Sequence, residues 1–146
     1  MTATHPEGIG AARAMQLALK EAGIPISKVD YLNVHATSTP VGDLSEINAL
    51  RSVMGNEKSD MLISATKSMT GHLLGAAGAI EAVIALLAVK NNIVPPTINT
   101  KVIDPAIPSN MHIVIKDAVD HKVKVAMSNT FGFGGHNGIV VFQALP

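Results

Sequence analysis

Cysteine is absent from this sequence, and both aromatic residues and charge are scarce. Without cysteine the chain has no disulfide framework, no thiolate metal site and no cysteine nucleophile. Aromatic residues make up 3% of the chain and its formal net charge is zero, so neither base stacking nor a basic field favours nucleic-acid binding. Charged residues make up 15%, below the roughly 25% of typical soluble domains. This low charge suggests a face that another segment covers.

The chain shows neither a secretory leader nor a convincing membrane segment. Its N-terminus lacks the basic and apolar regions of a signal peptide, which predicts a cytoplasmic protein. The run from Leu73 to Val89 is mostly leucine, alanine, glycine, isoleucine and valine, but it is shorter than the about 20 residues that span a bilayer. Glu81 lies in its middle, where a carboxylate is costly in lipid. We therefore predict a helix buried on nearly all sides of a soluble protein, with no membrane partner.

Hydrophobic periodicity predicts the order helix, strand, helix, strand, long helix and then strands. The first helix begins near Pro6, and Asp43 with Glu46 resembles a capping box at the start of the second. Thr70 is the predicted N-cap of the long apolar helix, which places His72 in its first turn. Strands are predicted over residues 29–34, 61–64, 113–115, 122–127 and 138–142. This alternation favours an α/β layer fold with crossover connections.

Polar residues collect directly after three predicted strands, at residues 35–42, 64–72 and 129–137. Because ligands usually bind at the carboxyl ends of strands in α/β sheets, we expect these three elbows to form one cleft. The cleft would bring together His35, Lys67, His72 and Phe133. The glycine-rich turn before Gly138 is not a dinucleotide fingerprint, because an apolar strand follows it instead of a helix. A turn histidine, a solvated lysine and a simple hairpin turn remain the alternative interpretations at these positions.

The residue types at the elbows suggest a site that stabilises negative charge on a substrate. In the first turn of a helix His72 would face the positive end of the helix dipole, which disfavours imidazolium. A neutral ring can donate a hydrogen bond to a developing oxyanion without losing its proton. A buried Lys67 needs a partner, and Glu81 is the nearby acid in the sequence, so we predict a buried Lys67–Glu81 pair. The histidines lack metal-site spacing, and no metal is expected.

At these elbows the sequence resembles the β-ketoacyl-[acyl-carrier-protein] synthases of type II fatty acid synthesis, with the closest likeness to the synthase II type. The matching segments occur in family order and cover nearly the whole chain: 33–43, 64–78, 95–99 and 128–135. The resemblance implies an α/β thiolase-like fold, in which two similar halves form a five-layer α-β-α-β-α sandwich. Residues 1–146 look like the C-terminal half, with the long apolar helix in the central layer.

The resemblance also implies roles for individual residues. His35 and His72 match the two histidines that assist malonyl decarboxylation and stabilise the enolate or oxyanion. Lys67 and Glu81 match the active-site lysine and its acidic partner. Phe133 matches the gating phenylalanine, whose backbone N–H contributes to the oxyanion hole. The substrate-binding positions, which include two threonines that contact the phosphopantetheine arm, are Thr37, Thr39, Phe131 and Gly134.

One departure from the family decides what the chain can do alone. The nucleophilic cysteine of the family lies in the N-terminal half, and this chain has no cysteine, so we expect no condensation without that half. In the complete acyltransferase, acyl-enzyme would condense with malonyl-carrier protein, and no cofactor is implied beyond the carrier's phosphopantetheine. The implied partners are acyl carrier protein, the N-terminal half and a second copy of the enzyme. A polyketide ketosynthase half and a non-catalytic acyl- or carrier-protein-binding module are the alternatives.

Overall fold

Helices and strands alternate in the predicted order over residues 4–57 and 59–145, the part that the structure, a computed structural model, describes. The elements are α1 (Ile9–Ala22), β1 (Tyr31–Asn33), α2 (Pro40–Met54), β2 (Leu62–Ser64), α3 (Lys67–Thr70), α4 (Ala77–Asn91), β3 (Ile93–Val94), β4 (His112–Ile113), β5 (Val119–Asp120), β6 (Val125–Gly132) and β7 (His136–Gln143). Short 3-10 turns lie at Ile26–Lys28, Leu74–Ala76 and Phe133–Gly135.

The main sheet has five strands in the order β4-β2-β1-β6-β7. The first four strands are parallel, and β7 returns antiparallel to β6. The register aligns Asn33 at the end of β1 with Ser64 of β2 and with Ser128 of β6. Because these three strands point in the same direction, the residues that follow them emerge at one edge of the sheet. Strands β3 and β5 form a separate two-stranded antiparallel sheet.

Helices cover both faces of the main sheet, which makes the chain a three-layer α/β/α unit. Successive side chains of a strand point to opposite faces, so Leu32 joins the core beneath α1 and α2, whereas Tyr31 joins the core beneath α4. Helices α1 and α2 contribute an apolar stripe to the first core: Ala11, Ala12, Met15, Leu19, Ile47, Ala49, Leu50 and Met54. Helix α4 contributes Ala85 and Ala88 to the second.

Helix α4 buries one narrow face and leaves apolar residues on another face exposed. Its buried residues are Ala77, Glu81, Ala85 and Ala88. Gly78 lies so close to β6 that an added Cβ would approach Thr130 Oγ1 to 2.8 Å. The large apolar side chains that α4 exposes are Ile80, Val83, Leu86 and Leu87. Within this chain the prediction of burial on nearly all sides is therefore wrong, and the exposed residues form the kind of face that a covering segment buries.

The stretch Leu74–Asn91, which contains α4, is long and apolar enough to cross a membrane by length and composition alone. The core helix of a soluble protein passes the same test. Two features favour the core helix here: Glu81 pairs with Lys67 of the same chain, and the small side chains of α4 pack on the sheet.

The long helix begins later than the sequence predicts. Residues after Thr66 form the separate short helix α3, which ends at Gly71, and α4 starts at Ala77. Gly71 combines a φ of 71° with a ψ of 178°, a backbone conformation that is essentially restricted to glycine and that interrupts a right-handed helix. The predicted N-cap at Thr70 is therefore wrong, and His72 lies before α4 instead of in its first turn.

The predicted capping box of the second helix is also wrong. Helix α2 begins at Pro40, with Thr39 as its N-cap residue. Asp43 lies inside the first turn, where its Oδ1 accepts the Thr39 backbone N–H at 3.3 Å. Glu46 is consequently too far into the helix to cap it, and its side chain is free to bond elsewhere.

Strands β6 and β7 are longer than predicted and form a hairpin around the glycine-rich turn. Gly134 and Gly135 in this turn have φ values of 80° and 82°, which explains the glycine content, since other residues rarely adopt them. Strand β4 is shorter than predicted, and Ile115 makes an isolated parallel bridge to Thr97 instead.

Candidate active site

The two histidines of the first two elbows meet at the carboxyl edge of the sheet. The ring centroids of His35 and His72 are 5.5 Å apart, and the rings are nearly perpendicular, at 87°. Phe131, near the end of β6, packs its ring against His35 with centroids 5.5 Å apart. The three predicted elbows therefore converge on one site, as their positions after parallel strands indicate.

His35 is half-buried, and its surroundings favour the neutral ring. Burial, followed by the positive charge of Lys67 and of His72, lowers the pKa of His35 from 6.5 to about 4. Its Nδ1 atom is buried and has no hydrogen-bond partner among residues 4–57 and 59–145. A neutral imidazole carries one N–H donor and one acceptor. At neutral pH, His35 can therefore donate a hydrogen bond to a ligand oxygen and keep its proton.

His72 is exposed, and a backbone amide sets its tautomer. Its Nδ1 accepts the Leu74 N–H at 3.2 Å. Because an accepting nitrogen carries no proton, the neutral ring has its proton on Nε2, which remains available as a donor. The predicted contact of His72 with the first turn of the long helix is not formed, because α4 begins at Ala77. Leu74 holds a left-handed φ of 50°, and strained backbone of this kind clusters at functional sites.

The predicted ion pair between Lys67 and Glu81 is confirmed. Lys67 Nζ, from α3, donates to Glu81 Oε1 of α4, and the two side chains are only 5% and 1% exposed. Burial raises the pKa of Glu81, while the hydrogen bond and charge of Lys67 act in the opposite direction. The pair joins two helices and places a positive charge close enough to His35 to disfavour imidazolium there.

A loop about 30 residues further along the sequence contacts the elbow that carries Lys67. Ala65 N–H donates to Thr97 Oγ1 at 2.9 Å, and Ile98 N–H donates to Ser68 Oγ at 3.0 Å. Asn99 Nδ2 also donates to the Ser68 carbonyl at 3.3 Å. The segment 95–99, which the sequence singled out only by its resemblance, thus holds the backbone on both sides of Lys67.

Sequence reasoning missed one buried acid beside the site. The carboxylate of Glu46 accepts the backbone N–H groups of His35 at 3.0 Å and Ala36 at 2.8 Å. It also accepts Asn129 Nδ2 at 2.9 Å. The sequence did contain a signal, because Glu46 stands one helical turn before Leu50 on the apolar stripe of α2. An acid on a core-facing stripe needs partners inside the protein.

The remaining predicted site residues lie on the same elbows, in more open surroundings. Thr37 Oγ1 and Thr39 Oγ1 are 3.1 Å apart where the first elbow enters α2. Phe133 begins the 3-10 turn of the hairpin, next to Gly134, and its side chain is 77% exposed. It is the ring of Phe131, and not that of Phe133, that packs against His35.

Comparison with known proteins identifies the family. Residues 1–101 match the family described as "Beta-ketoacyl synthase, C-terminal domain". The chain belongs to the β-ketoacyl synthases. This synthase domain is 49% identical, over 98% of its length, to 3-oxoacyl-[acyl-carrier-protein] synthase 2 of Staphylococcus aureus strain COL. It is 45% identical, again over 98% of its length, to the enzyme of the same name from Coxiella burnetii. The chain spans about a third of these relatives, 34% of each.

Solved ketosynthases share the fold of this synthase domain. A type II polyketide ketosynthase, solved with its acyl-carrier protein, matches with a TM-score of 0.93 and 35% identity, over 100% of this chain and 35% of that one. A β-ketoacyl synthase from Burkholderia phymatum matches with a TM-score of 0.88 and 36% identity, over 100% of this chain and 34% of that one. The three layers described above are thus the C-terminal half of a thiolase-like ketosynthase fold.

The neutral state of His35 makes stability depend on pH. Histidine titrates near 6.5 in an unfolded chain, whereas the pKa of His35 in the folded synthase domain is lowered to about 4. As pH falls from about 6.5 to about 4, His35 is protonated in the unfolded chain but stays neutral in the folded one. The stability that the neutral His35 contributes is therefore fully present above pH 6.5 and is lost as pH falls through this window. We expect the free energy of unfolding of the native chain to decrease in this window relative to that of His35→Asn.

Urea unfolding at half-unit pH intervals measures this difference, in which the carboxyl titrations common to both proteins cancel. His112→Asn, which removes an exposed histidine of β4, controls for the loss of an imidazole in general. Parallel stability curves for the native chain and His35→Asn would contradict the prediction.

Proposed function

We propose that this domain supplies the residues that stabilise negative charge in a decarboxylative Claisen condensation, as part of a 3-oxoacyl-[acyl-carrier-protein] synthase II in fatty acid elongation. The observation that carries the proposal is the contact between the His35 and His72 rings at the carboxyl edge of the sheet. Two adjacent imidazoles that can each donate an N–H suit a substrate whose oxygen becomes negatively charged.

The reaction creates such charge twice. Decarboxylation breaks the bond between the carboxyl carbon and the α-carbon of the malonyl thioester, so that CO₂ leaves and the electron pair forms an enolate. His35 and His72 donate N–H groups to the enolate oxygen. The α-carbon then attacks the carbonyl of an acyl-cysteine, and the tetrahedral oxyanion that forms collapses with expulsion of the thiolate. The backbone N–H of Phe133 is the proposed donor to this second oxyanion.

The remaining site residues prepare these steps. The Lys67–Glu81 pair keeps a positive charge near His35 without offering a proton to the enolate, since the Lys67 ammonium is bound to the Glu81 carboxylate. Thr37 and Thr39, whose hydroxyls lie together on the first elbow, contact the phosphopantetheine arm. Phe131 and Gly134 line the acyl side of the site. No cofactor is needed beyond phosphopantetheine, because CO₂ loss supplies the carbanion.

The partners follow from the same reaction. Acyl carrier protein delivers the substrates, a role supported by the similar polyketide ketosynthase that was solved with its acyl-carrier protein. An N-terminal half supplies the cysteine and covers the exposed face of α4, where Val83 is 55% exposed and Leu86 49%. We further propose that the complete enzyme is a cytoplasmic homodimer.

A second candidate is a polyketide ketosynthase half, which the TM-score of 0.93 to such an enzyme favours. The identity argues for fatty acid synthesis, because it is 49% to the S. aureus synthase and 35% to the polyketide ketosynthase. A non-catalytic acyl- or carrier-protein-binding module is the third candidate. It would show no condensation activity, in contrast to the other two.

The test compares the isolated chain with an intact synthase that carries this domain, each supplied with acyl- and malonyl-carrier protein. We expect β-ketoacyl product from the intact synthase and none from the isolated chain, because only the former has a cysteine. Product from the isolated chain would contradict the proposal that the N-terminal half supplies the nucleophile. An intact synthase that binds carrier protein but forms no product would be a binding module, and iterative condensation without reduction would point to polyketide chemistry.

A further inference from the structure

A reciprocal pair of hydrogen bonds joins the elbow that carries His35 to the elbow that carries Lys67. Asn33 Nδ2 donates to Thr66 Oγ1 at 2.9 Å, and the same hydroxyl donates to Asn33 Oδ1 at 3.1 Å. Both side chains are fully buried. Asn33 ends β1 two residues before His35, and Thr66 directly precedes Lys67 at the start of α3. One buried side-chain pair therefore links the two segments that supply these site residues.

The pair lies where the backbone pairing of the two segments ends. The last ladder bond at this end of β1 and β2 runs from the Val34 N–H to the Ser64 carbonyl. The next amide of the first segment, that of His35, donates to a carboxylate of α2 instead. Beyond the ladder, the link between Asn33 and Thr66 therefore helps to set the distance between the two elbows.

The position of Thr66 also determines where the second elbow places its side chains. Thr66 is the N-cap residue of α3, and its carbonyl accepts the backbone N–H groups of Met69 at 2.9 Å and Thr70 at 3.1 Å. The helix begins at Lys67 and ends two residues before His72. Because the first turn of a helix is bonded to its N-cap residue, a shift of Thr66 moves this short helix and the histidine after it.

The polar character of the pair gives it direction. Apolar groups of the same shape in place of a buried hydrogen-bonded pair are often nearly neutral for stability, so stability alone does not require this pair. The Thr66 hydroxyl both accepts from and donates to one amide, which fixes the rotation of both side chains. A second buried pair, Tyr31 OH and Ser64 Oγ at 2.9 Å, joins β1 to β2 two residues earlier on each segment. This second pair is a natural control, because it does not adjoin a site residue.

We propose that Asn33 and Thr66 are positioning residues, whose reciprocal hydrogen bonds hold the second elbow against the first so that the His35 and His72 imidazoles reach the same enolate oxygen. The inference rests on the proposed function, in which both rings donate to that oxygen. The ring centroids are 5.5 Å apart, and each ring lies on one of the two elbows that the pair joins. Loss of the pair should therefore slow the step that uses both histidines and spare the steps that do not.

The test uses the double variant Asn33→Leu/Thr66→Val in an intact synthase that carries this domain. It removes both polar groups and leaves no buried donor without a partner. We expect decarboxylation of malonyl-carrier protein to fall by about 10- to 100-fold, the range caused by small misplacement of catalytic groups. The KM for malonyl-carrier protein and the acylation of the cysteine should change by less than about twofold, since neither needs both donors. Thr66→Ser keeps the hydroxyl and should retain the native rate.

The neighbouring pair provides the matched control. Tyr31→Phe/Ser64→Ala removes a buried side-chain link between the same two strands, and it should leave decarboxylation within about twofold of the native rate. If this control loses as much decarboxylation as the Asn33 and Thr66 variant, any link between β1 and β2 serves equally, and the positioning role is overturned.

A mutant cycle with His72 separates positioning from general structure. In a His72→Ala background, Asn33→Leu/Thr66→Val should cause a much smaller further loss, because one of the two rings that the pair aligns is gone. An equal loss in both backgrounds, or a parallel loss of acylation, would overturn the role. If the double variant does not fold, Thr66→Val alone is measured, and native decarboxylation in it would also overturn the role. If His35→Ala and His72→Ala each leave decarboxylation intact, it is the proposed function that fails.

Discussion

Replacing Glu81 with alanine is expected to lower the free energy of unfolding by about 3–5 kcal/mol, the cost typical of removing one partner from a buried ion pair. The side chain of Lys67 is 5% exposed, so the ammonium that loses its carboxylate cannot reach water without local unfolding. Lys67→Ala leaves the Glu81 carboxylate, which is 1% exposed, buried without its partner. It should lower the free energy of unfolding by a similar amount. Urea denaturation of the isolated chain or the intact synthase measures both effects.

The double variant Lys67→Met/Glu81→Leu is the matched control. It removes both charges and keeps apolar volume, and such replacements are often neutral or stabilising. We therefore expect it to be more stable than either single variant. Glu21→Ala, at an exposed acid of α1, should change stability by no more than about 0.5 kcal/mol. A loss below about 1 kcal/mol for Glu81→Ala would mean that Lys67 reaches solvent or another acceptor.

His72→Ala in the intact synthase is expected to reduce malonyl decarboxylation by about 10²- to 10³-fold, the effect of removing one donor from an oxyanion site. His35→Ala should act similarly, because the centroids of the two rings lie only 5.5 Å apart. Acylation of the cysteine should remain largely intact in both variants, since that step develops no enolate. Single-turnover assays, with acyl-carrier protein for acylation and malonyl-carrier protein for decarboxylation, measure the two steps separately.

Two further variants test the assigned chemistry. His72→Gln places an N–H donor near the position of the imidazole Nε2 and should recover part of the lost rate, whereas an acid–base role would not be rescued. His112→Ala, at an exposed position of β4, should keep native rates. A parallel loss of acylation in His72→Ala would move His72 from enolate stabilisation to activation of the cysteine.

Two predictions from the sequence are confirmed because each rests on a rule that applies to short segments. Elbows that follow strands were expected to share one edge, and the His35–His72 contact confirms this. A lysine and a glutamate in apolar segments were expected to pair, and the Lys67–Glu81 bond confirms it. Both inferences use rules that hold wherever parallel strands end or charges are buried.

The errors arose where one local rule competed with another. An acid near the start of α2 suggested a capping box, but Glu46 instead accepts amides from the end of β1. The continuous apolar composition after Thr70 suggested one long helix, but the positive φ of Gly71 interrupts it. As a result, His72 was placed in the first turn of the long helix, whereas it precedes α4 and its Nδ1 accepts the Leu74 N–H.

Residue patterns alone were enough to establish the α/β class, the three elbows, the buried charge pair and the family, because each is written in short segments or in the alternation of elements. They were not enough to establish which ring packs on His35, where α4 begins, or which amides a buried carboxylate accepts. Those features depend on strand register and helix placement, and they join residues as distant in the chain as Glu46 and Asn129. Contacts of this kind form only when the layers close, so no local pattern contains them.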